Sequence, residues 1–208
     1  RRPPRSTLFP YPTLFRSHWR EAGDPAGPAI VWIHGGSVED SSLMVADLEP
    51  LFGRVRALFP DTRGHGRSST FERARDYTYA RKAEDLLLWL DALGVERPIW
   101  GDASMGAALS LWAAVHAPER VRAVVSISGP PSAPPAADVA WWREHRPLVE
   151  AGRLAEYFDA NVRLRMGEDA LARFKARPER YAETVARLGE QPRASLLALL
   201  DETYSRGD

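Results

Sequence analysis

Ile99-Trp100-Gly101-Asp102-Ala103-Ser104-Met105-Gly106-Ala107-Ala108 is the stretch on which the fold turns. It opens with apolar residues suited to a buried strand, and from Met105 to Ala117 it runs almost wholly apolar at a length suited to a helix. Ser104 stands at the change, with small residues on either side. A strand, a tight turn and a helix in that order project the turn residue above a sheet. The helix then offers its amino-terminal dipole and unpaired N–H groups to any negative charge forming there. The same serine fits a plain N-cap, the commonest task of serine before an apolar helix, and the stretch alone leaves both readings open.

Working outward, Ala29-Ile30-Val31-Trp32-Ile33 is a continuous apolar run of strand length that stops at His34-Gly35-Gly36. Helical spacing follows from Met44 to Phe52, then a second strand over Val55–Phe59 closed by Pro60. After the loop Asp61–Ser68, Leu86, Leu87, Leu90 and Leu93 recur at helical spacing within Tyr79–Leu93, and Gly94 ends that helix. Pro98-Ile99-Trp100 begins a third strand and Val121–Ile127 forms a fourth. Strands alternating with helices predict an α/β fold, a mostly parallel sheet with helices on both faces.

The texture changes after Ser128. Gly129-Pro130-Pro131-Ser132-Ala133-Pro134-Pro135 reads as a linker, and Ala136 to Asp208 reads as helical throughout. Trp141/Trp142, Tyr157/Phe158 and Leu196/Leu197/Leu199/Leu200 suit the core of a helical subdomain. An insertion at the edge where parallel sheets bind ligands can also supply a lid, and the two roles are compatible. The expected organisation is a core over residues 18–130 and a helical cap over 131–208. Residues 7–17 repeat Thr-Leu-Phe and resemble the conceptual translation of a sequencing-library adapter, so 1–17 are expected to form a tail foreign to the fold.

Four motifs in order resemble the α/β-hydrolase superfamily. His34-Gly35-Gly36 resembles its His-Gly oxyanion loop, and Asp61-Thr62-Arg63-Gly64-His65-Gly66-Arg67-Ser68 its Asp-x-Arg-Gly-His-Gly-x-Ser loop. Ser104-Met105-Gly106 resembles the nucleophile elbow, and His116-Ala117-Pro118-Glu119-Arg120-Val121 the tail of the helix that follows. The resemblance implies that Ser104 is the nucleophile and that the backbone N–H groups of Gly36 and Met105 form the oxyanion hole. It also marks a departure: the family's elbow is Gly-x-Ser-x-Gly, and this chain carries Asp102 where the first glycine belongs. A carboxylate there crowds the turn and opposes an oxyanion by like charge.

The family order is serine, acid, histidine, and only His116 and His145 follow Ser104. His116 lies twelve residues along the same helix, about 18 Å away at 1.5 Å per residue. His145 lies within the helical region and lacks a Gly-His context. Both are read as structural, His34 and His65 as loop-forming residues, and His18 as a neighbour of the tail. The acid and histidine are therefore expected on later strands absent from this chain, leaving the fold incomplete and the chain itself inactive. No spacing of ligands suggests a metal, and Gly64-His65-Gly66 is neither a phosphate loop nor a dinucleotide fingerprint, so neither metal nor cofactor is expected.

Composition narrows the partners. With 28 basic and 28 acidic residues there is no excess positive charge to hold nucleic acid or an anionic membrane. There is no cysteine, hence no disulfide and no thiol nucleophile, which is compatible with the expected cytoplasmic location. The resulting expectation is a hydrolase of small carboxylic esters or lactones working through an acyl-enzyme on Ser104. The alternatives are a non-catalytic binding or receptor protein of the same fold, or a carbon–carbon hydrolase, haloperoxidase-like or peptidase activity.

Overall fold

A computed structural model describes residues 16–36, 39–129 and 134–205. Five strands, β1 (Trp19–Gly23), β2 (Ala29–Trp32), β3 (Arg56–Pro60), β4 (Ile99–Ala103) and β5 (Ala123–Ile127), form one sheet in the order β1-β3-β2-β4-β5. β2, β3, β4 and β5 run parallel, and β1 pairs antiparallel with β3. The sequence reading did not include β1. Its residues Trp-Arg-Glu-Ala-Gly lack a continuous apolar run, and the strand is defined by its ladder with β3, in register from Trp19 opposite Pro60 to Gly23 opposite Arg56.

Side chains alternate across the strands and feed two cores. On one face Val31, Leu58 and Trp100 pack with Leu86, Trp89 and Leu90 of α2 (Tyr79–Ala92) and with Leu109 and Ala113 of α3 (Met105–His116). On the other face Ile30, Trp32, Ala57 and Phe59 meet Leu48 and Val55. The helix expected over residues 44–52 takes a different form there: a short α-helix, Ser41–Met44, continues as a 3-10 segment, Val45–Leu51. Pro50 lies inside that segment and has no N–H to give to an α-helical ladder. The last strand begins at Ala123, two residues later than expected, because Pro118–Arg120 forms a further 3-10 turn.

The chain divides into two compact units. One carries the sheet and its flanking elements, and the other comprises Phe71–Arg75 together with Ala133–Asp208. The second unit is helical, with α4 (Ala136–Glu150), α5 (Leu154–Met166), α6 (Glu168–Lys175), α7 (Pro178–Gly189) and α8 (Arg193–Thr203). Trp142, Tyr157, Phe158, Leu196, Leu199 and Leu200 are buried in it. The Trp142 ring stacks on Tyr204 at 5.4 Å, and its Nε1 donates to Asp201 Oδ1 at 2.9 Å. The paired aromatic and leucine residues therefore form a core, as amphipathic helices require.

The foreign-tail expectation lies outside the described residues for positions 1–15. Arg16 is exposed; its N–H donates to Ser69 Oγ at 2.8 Å and its carbonyl accepts from the Ser69 N–H at 3.0 Å.

Candidate active site

Because four strands run parallel, their carboxyl ends share one sheet edge, and the loops leaving them gather there. His34-Gly35-Gly36 leaves β2, Asp61–Ser68 leaves β3, and Ser104 leaves β4. The three motifs read from the sequence therefore share one edge of the sheet.

Ser104 is exposed and takes φ 54° and ψ −119°, a conformation costly for any residue with a side chain. Its own N–H donates to the Ile127 carbonyl at 3.0 Å, extending the β4–β5 ladder by one bond. Its side chain makes no capping hydrogen bond to α3, so the N-cap reading loses its physical content. Met105 is the first residue of α3, where N–H groups have no partner within the helix. Gly106 sets how closely this turn meets the neighbouring strand: a Cβ built there would lie 1.9 Å from the Ile33 carbonyl oxygen and 3.1 Å from that of His34. Only glycine lets the first turn of α3 lie against the end of β2, and that contact puts the elbow beside the His34–Gly36 turn.

In that turn the Gly35 N–H donates to Glu39 Oε2 at 2.7 Å. His34 is buried, with Nδ1 donating to the Gly35 carbonyl at 2.5 Å and Nε2 accepting from the Thr62 N–H at 3.1 Å. This pattern assigns the proton to Nδ1. The His65 ring lies 4.6 Å from that of His34, and Thr62 Oγ1 lies 3.0 Å from His65 Nδ1. Burial holds both imidazoles below their ordinary pKa; His34 and Lys82 lower His65 further, whereas the Gly35 carbonyl opposes the fall at His34. Two uncharged rings thus join the β2 and β3 loops, and their part is architectural.

Asp61 is the hub of the second loop. It is buried and accepts from His18 Nδ1 at 2.6 Å, the Ser41 N–H at 2.8 Å and the Arg67 N–H at 2.9 Å. Although burial alone would raise it, these donors, His18 foremost, hold the carboxyl well below the usual carboxylate range. Gly66, at φ 51°, passes so near that a Cβ would meet Asp61 Oδ2 at 2.2 Å. Sequence reasoning missed the bond between His18 and Asp61; no local signal links residues 43 apart. Arg63 then ties the loop to α2 through a two-pronged pair with Asp85, at 2.6 and 2.7 Å.

Asp102 lies in β4 at φ 135°, again a region that favours glycine, and is buried. Its Oδ1 accepts from the Ala103 N–H at 2.5 Å, and Oδ2 has no hydrogen-bond partner among the described residues. Burial pushes the carboxyl up to about 7 against that Ala103 bond, with Asp47 and Glu39 adding like charge.

The histidines that follow Ser104 are engaged elsewhere. His116 ends α3 and lies against Trp112 at 4.3 Å. His145 stacks on Trp141 at 4.4 Å and donates Nδ1–H to the Trp141 carbonyl at 2.9 Å. No group of three or more His, Cys, Asp or Glu residues suited to a metal occurs among the described residues, and no described helix is long and apolar enough to cross a membrane.

Residues 28–207 match the family described as alpha/beta hydrolase fold. A haloalkane dehalogenase of Mycolicibacterium paratuberculosis is 32% identical over 146 residues, which is 67% of this chain and 48% of that protein. Epoxide hydrolase A of Mycobacterium tuberculosis is 36% identical over 117 residues, covering 53% of this chain and 34% of the relative. The chain thus spans half the length of these curated relatives or less. Among solved structures, the enol-lactonase of Burkholderia xenovorans LB400 superposes with a TM-score of 0.76 at 20% identity, over 92% of this chain and 71% of that one.

Proposed function

The chain belongs to the α/β-hydrolase fold family, and on that premise we propose that it is a serine hydrolase of small carboxylic esters or lactones with Ser104 as nucleophile. The observation that carries this reading is the exposed Ser104 at φ 54°, raised on the turn between β4 and α3 with its hydroxyl unused as a cap. Ser104 Oγ attacks the ester carbonyl carbon, and the carbonyl oxygen takes up negative charge. The Met105 and Gly36 N–H groups stabilise that oxyanion, the alkoxide leaves with a proton, and water then cleaves the acyl-serine.

The chemistry of the nucleophile favours acyl transfer over the reactions named in the curated relatives. A serine oxygen displacing halide from carbon, or opening an epoxide, forms an alkyl ether that water does not cleave. Attack on an ester or lactone forms an acyl ester, which water does cleave. The lactone cleavage for which the Burkholderia xenovorans enol-lactonase is named fits the second course. A non-catalytic binding role is the alternative, favoured by Asp102 in the glycine position.

No described residue is assigned as acid or base, since His116 and His145 are held by Trp112 and Trp141. Loss of the histidine costs about 10⁶-fold in turnover in a comparable serine hydrolase, and oxyanion stabilisation with binding still leaves about 10³–10⁴ over water. Both ester turnover and phosphonylation of Ser104 are accordingly expected to be slow, since each sheds the serine proton without an assigned base, but an adduct accumulates with time and need not form fast to be read. A fluorophosphonate probe, whose phosphorus accepts Ser104 Oγ as fluoride and a proton depart, should add once to the native chain by intact mass and not to Ser104→Ala. Equal labelling of Ser104→Ala, or none of the native chain after prolonged exposure to excess probe, would refute the assignment. Hydrolysis of an activated short-chain ester should be slow; ordinary enzyme turnover that Ser104→Ala abolishes would show a base within this chain.

A further inference from the structure

Asp102 combines three costs at one position. Its backbone lies at φ 135°, where side chains are strained; its carboxyl is buried; and Oδ2 has no hydrogen-bond partner among the described residues. The charged groups acting on it come from other segments: Asp47 in the 3-10 segment Val45–Leu51 and Glu39 in the loop after β2, both carboxylates. On β5 the residue in register is the uncharged Ser126. An ionised Asp102 would thus face two like charges with one buried oxygen unsatisfied. A neutral carboxylic acid removes the like-charge repulsion and lowers the cost of burial, with Oδ1 accepting from the Ala103 N–H and Oδ2 carrying the proton.

We propose that Asp102 is a positioning residue that works as a neutral acid: protonated, it braces the elbow through Ala103 and leaves the oxyanion site free of added negative charge, and ionised, it suppresses attack by Ser104. The inference rests on Ser104 as nucleophile. The residue lies two positions before that serine on the same strand end, so a charge here acts on the turn that must gain an oxyanion. Ionisation releases one proton to solvent and breaks no other bond. Burial first, then Asp47 and Glu39, place this change near neutral pH.

The test uses the full chain, Asp102→Asn and Asp102→Gly, with Ser104→Ala as the blank. Asparagine keeps the oxygen that accepts from Ala103 and cannot ionise; glycine removes the strain and supplies a second reference if Asp102→Asn misfolds. Fluorophosphonate labelling rates are followed by intact mass from about pH 6 to about pH 9, and aspartate carboxyl carbons are titrated by NMR. The native rate divided by the Asp102→Asn rate should be constant below neutrality and then fall about tenfold per pH unit. One aspartate resonance with a midpoint near neutrality should vanish in Asp102→Asn. A flat ratio with Ser104 still labelled would overturn this proposal and leave the nucleophile standing. No Ser104 adduct in the native chain or either variant at any pH would overturn both.

Discussion

A single methyl group tests the elbow at Gly106. In Gly106→Ala the new carbon would overlap the Ile33 carbonyl oxygen, a rigid backbone atom at 1.9 Å, so α3 or the end of β2 must move. Overpacking of this kind costs about 1–3 kcal/mol, and the expected outcome is an unfolding free energy, from urea titration, lowered by that amount with Ser104 labelling slowed. Unchanged stability and labelling would mean that the strand end and helix are not held at this distance. Ser104 itself was legible, since strand, small-residue turn and apolar helix adjoin in the chain. Its φ of 54° was not, because a dihedral in that region is imposed by the ladder to Ile127 on one side and the Gly106 contact on the other.

At the level of elements, the β2 and β3 loops are joined by groups whose protonation the fold has fixed. His34 and His65 are held below their ordinary pKa of 6.5, so their contribution to stability is fully present above that value and is lost as pH falls below it. Asp61 is held below its ordinary 3.8, and its contribution is present above 3.8 and lost at more acid pH. Asp102 has the opposite sign: raised from 3.8 to about 7, its contribution is present in acid and lost as pH rises through about 7. In Asp102→Asn, which lacks that opposing contribution, urea unfolding followed against pH should show stability declining from about pH 6.5 downward, then again below about pH 4. Replacing both histidines, as His34→Gln with His65→Gln, should lower stability at neutral pH and remove the first decline. Persistence of that decline would assign it to other groups.

For the whole molecule, the sheet ends on β5, which pairs with β4 alone among the described strands. Val125 and Ile127 on it are 41% and 51% exposed, unusual for β-branched residues of a strand beside a core. An open, apolar edge strand is a template for pairing with another copy. The chain is expected to self-associate as concentration rises, by sedimentation velocity, and Val125→Lys with Ile127→Lys should shift it toward monomer. Association that is unchanged in the double variant would place the contact elsewhere.

The order of strands and helices, the serine turn and the glycine-rich loops were readable because each depends on residues adjacent in the chain: a run of apolar side chains, a glycine, a change of period. β1 was not readable, since Trp19–Gly23 becomes a strand by pairing with residues that are distant in the chain, from Trp19 with Pro60 to Gly23 with Arg56. The segment after Ser41 has helical spacing, which does not distinguish an α-helix from the 3-10 form that Val45–Leu51 takes. Of the site, the sequence determined the chemistry on offer: a serine before a helix, two candidate amides and a carboxyl where the family has glycine. Tertiary structure decided what each group faces. It buried Asp102 within reach of the charges on Asp47 and Glu39, tied His18 to Asp61, set the His34 ring at a tilt against that of His65 and committed His145 to Trp141. The reason is physical: backbone periodicity is local, whereas desolvation and hydrogen bonding depend on neighbours that only the folded chain brings together.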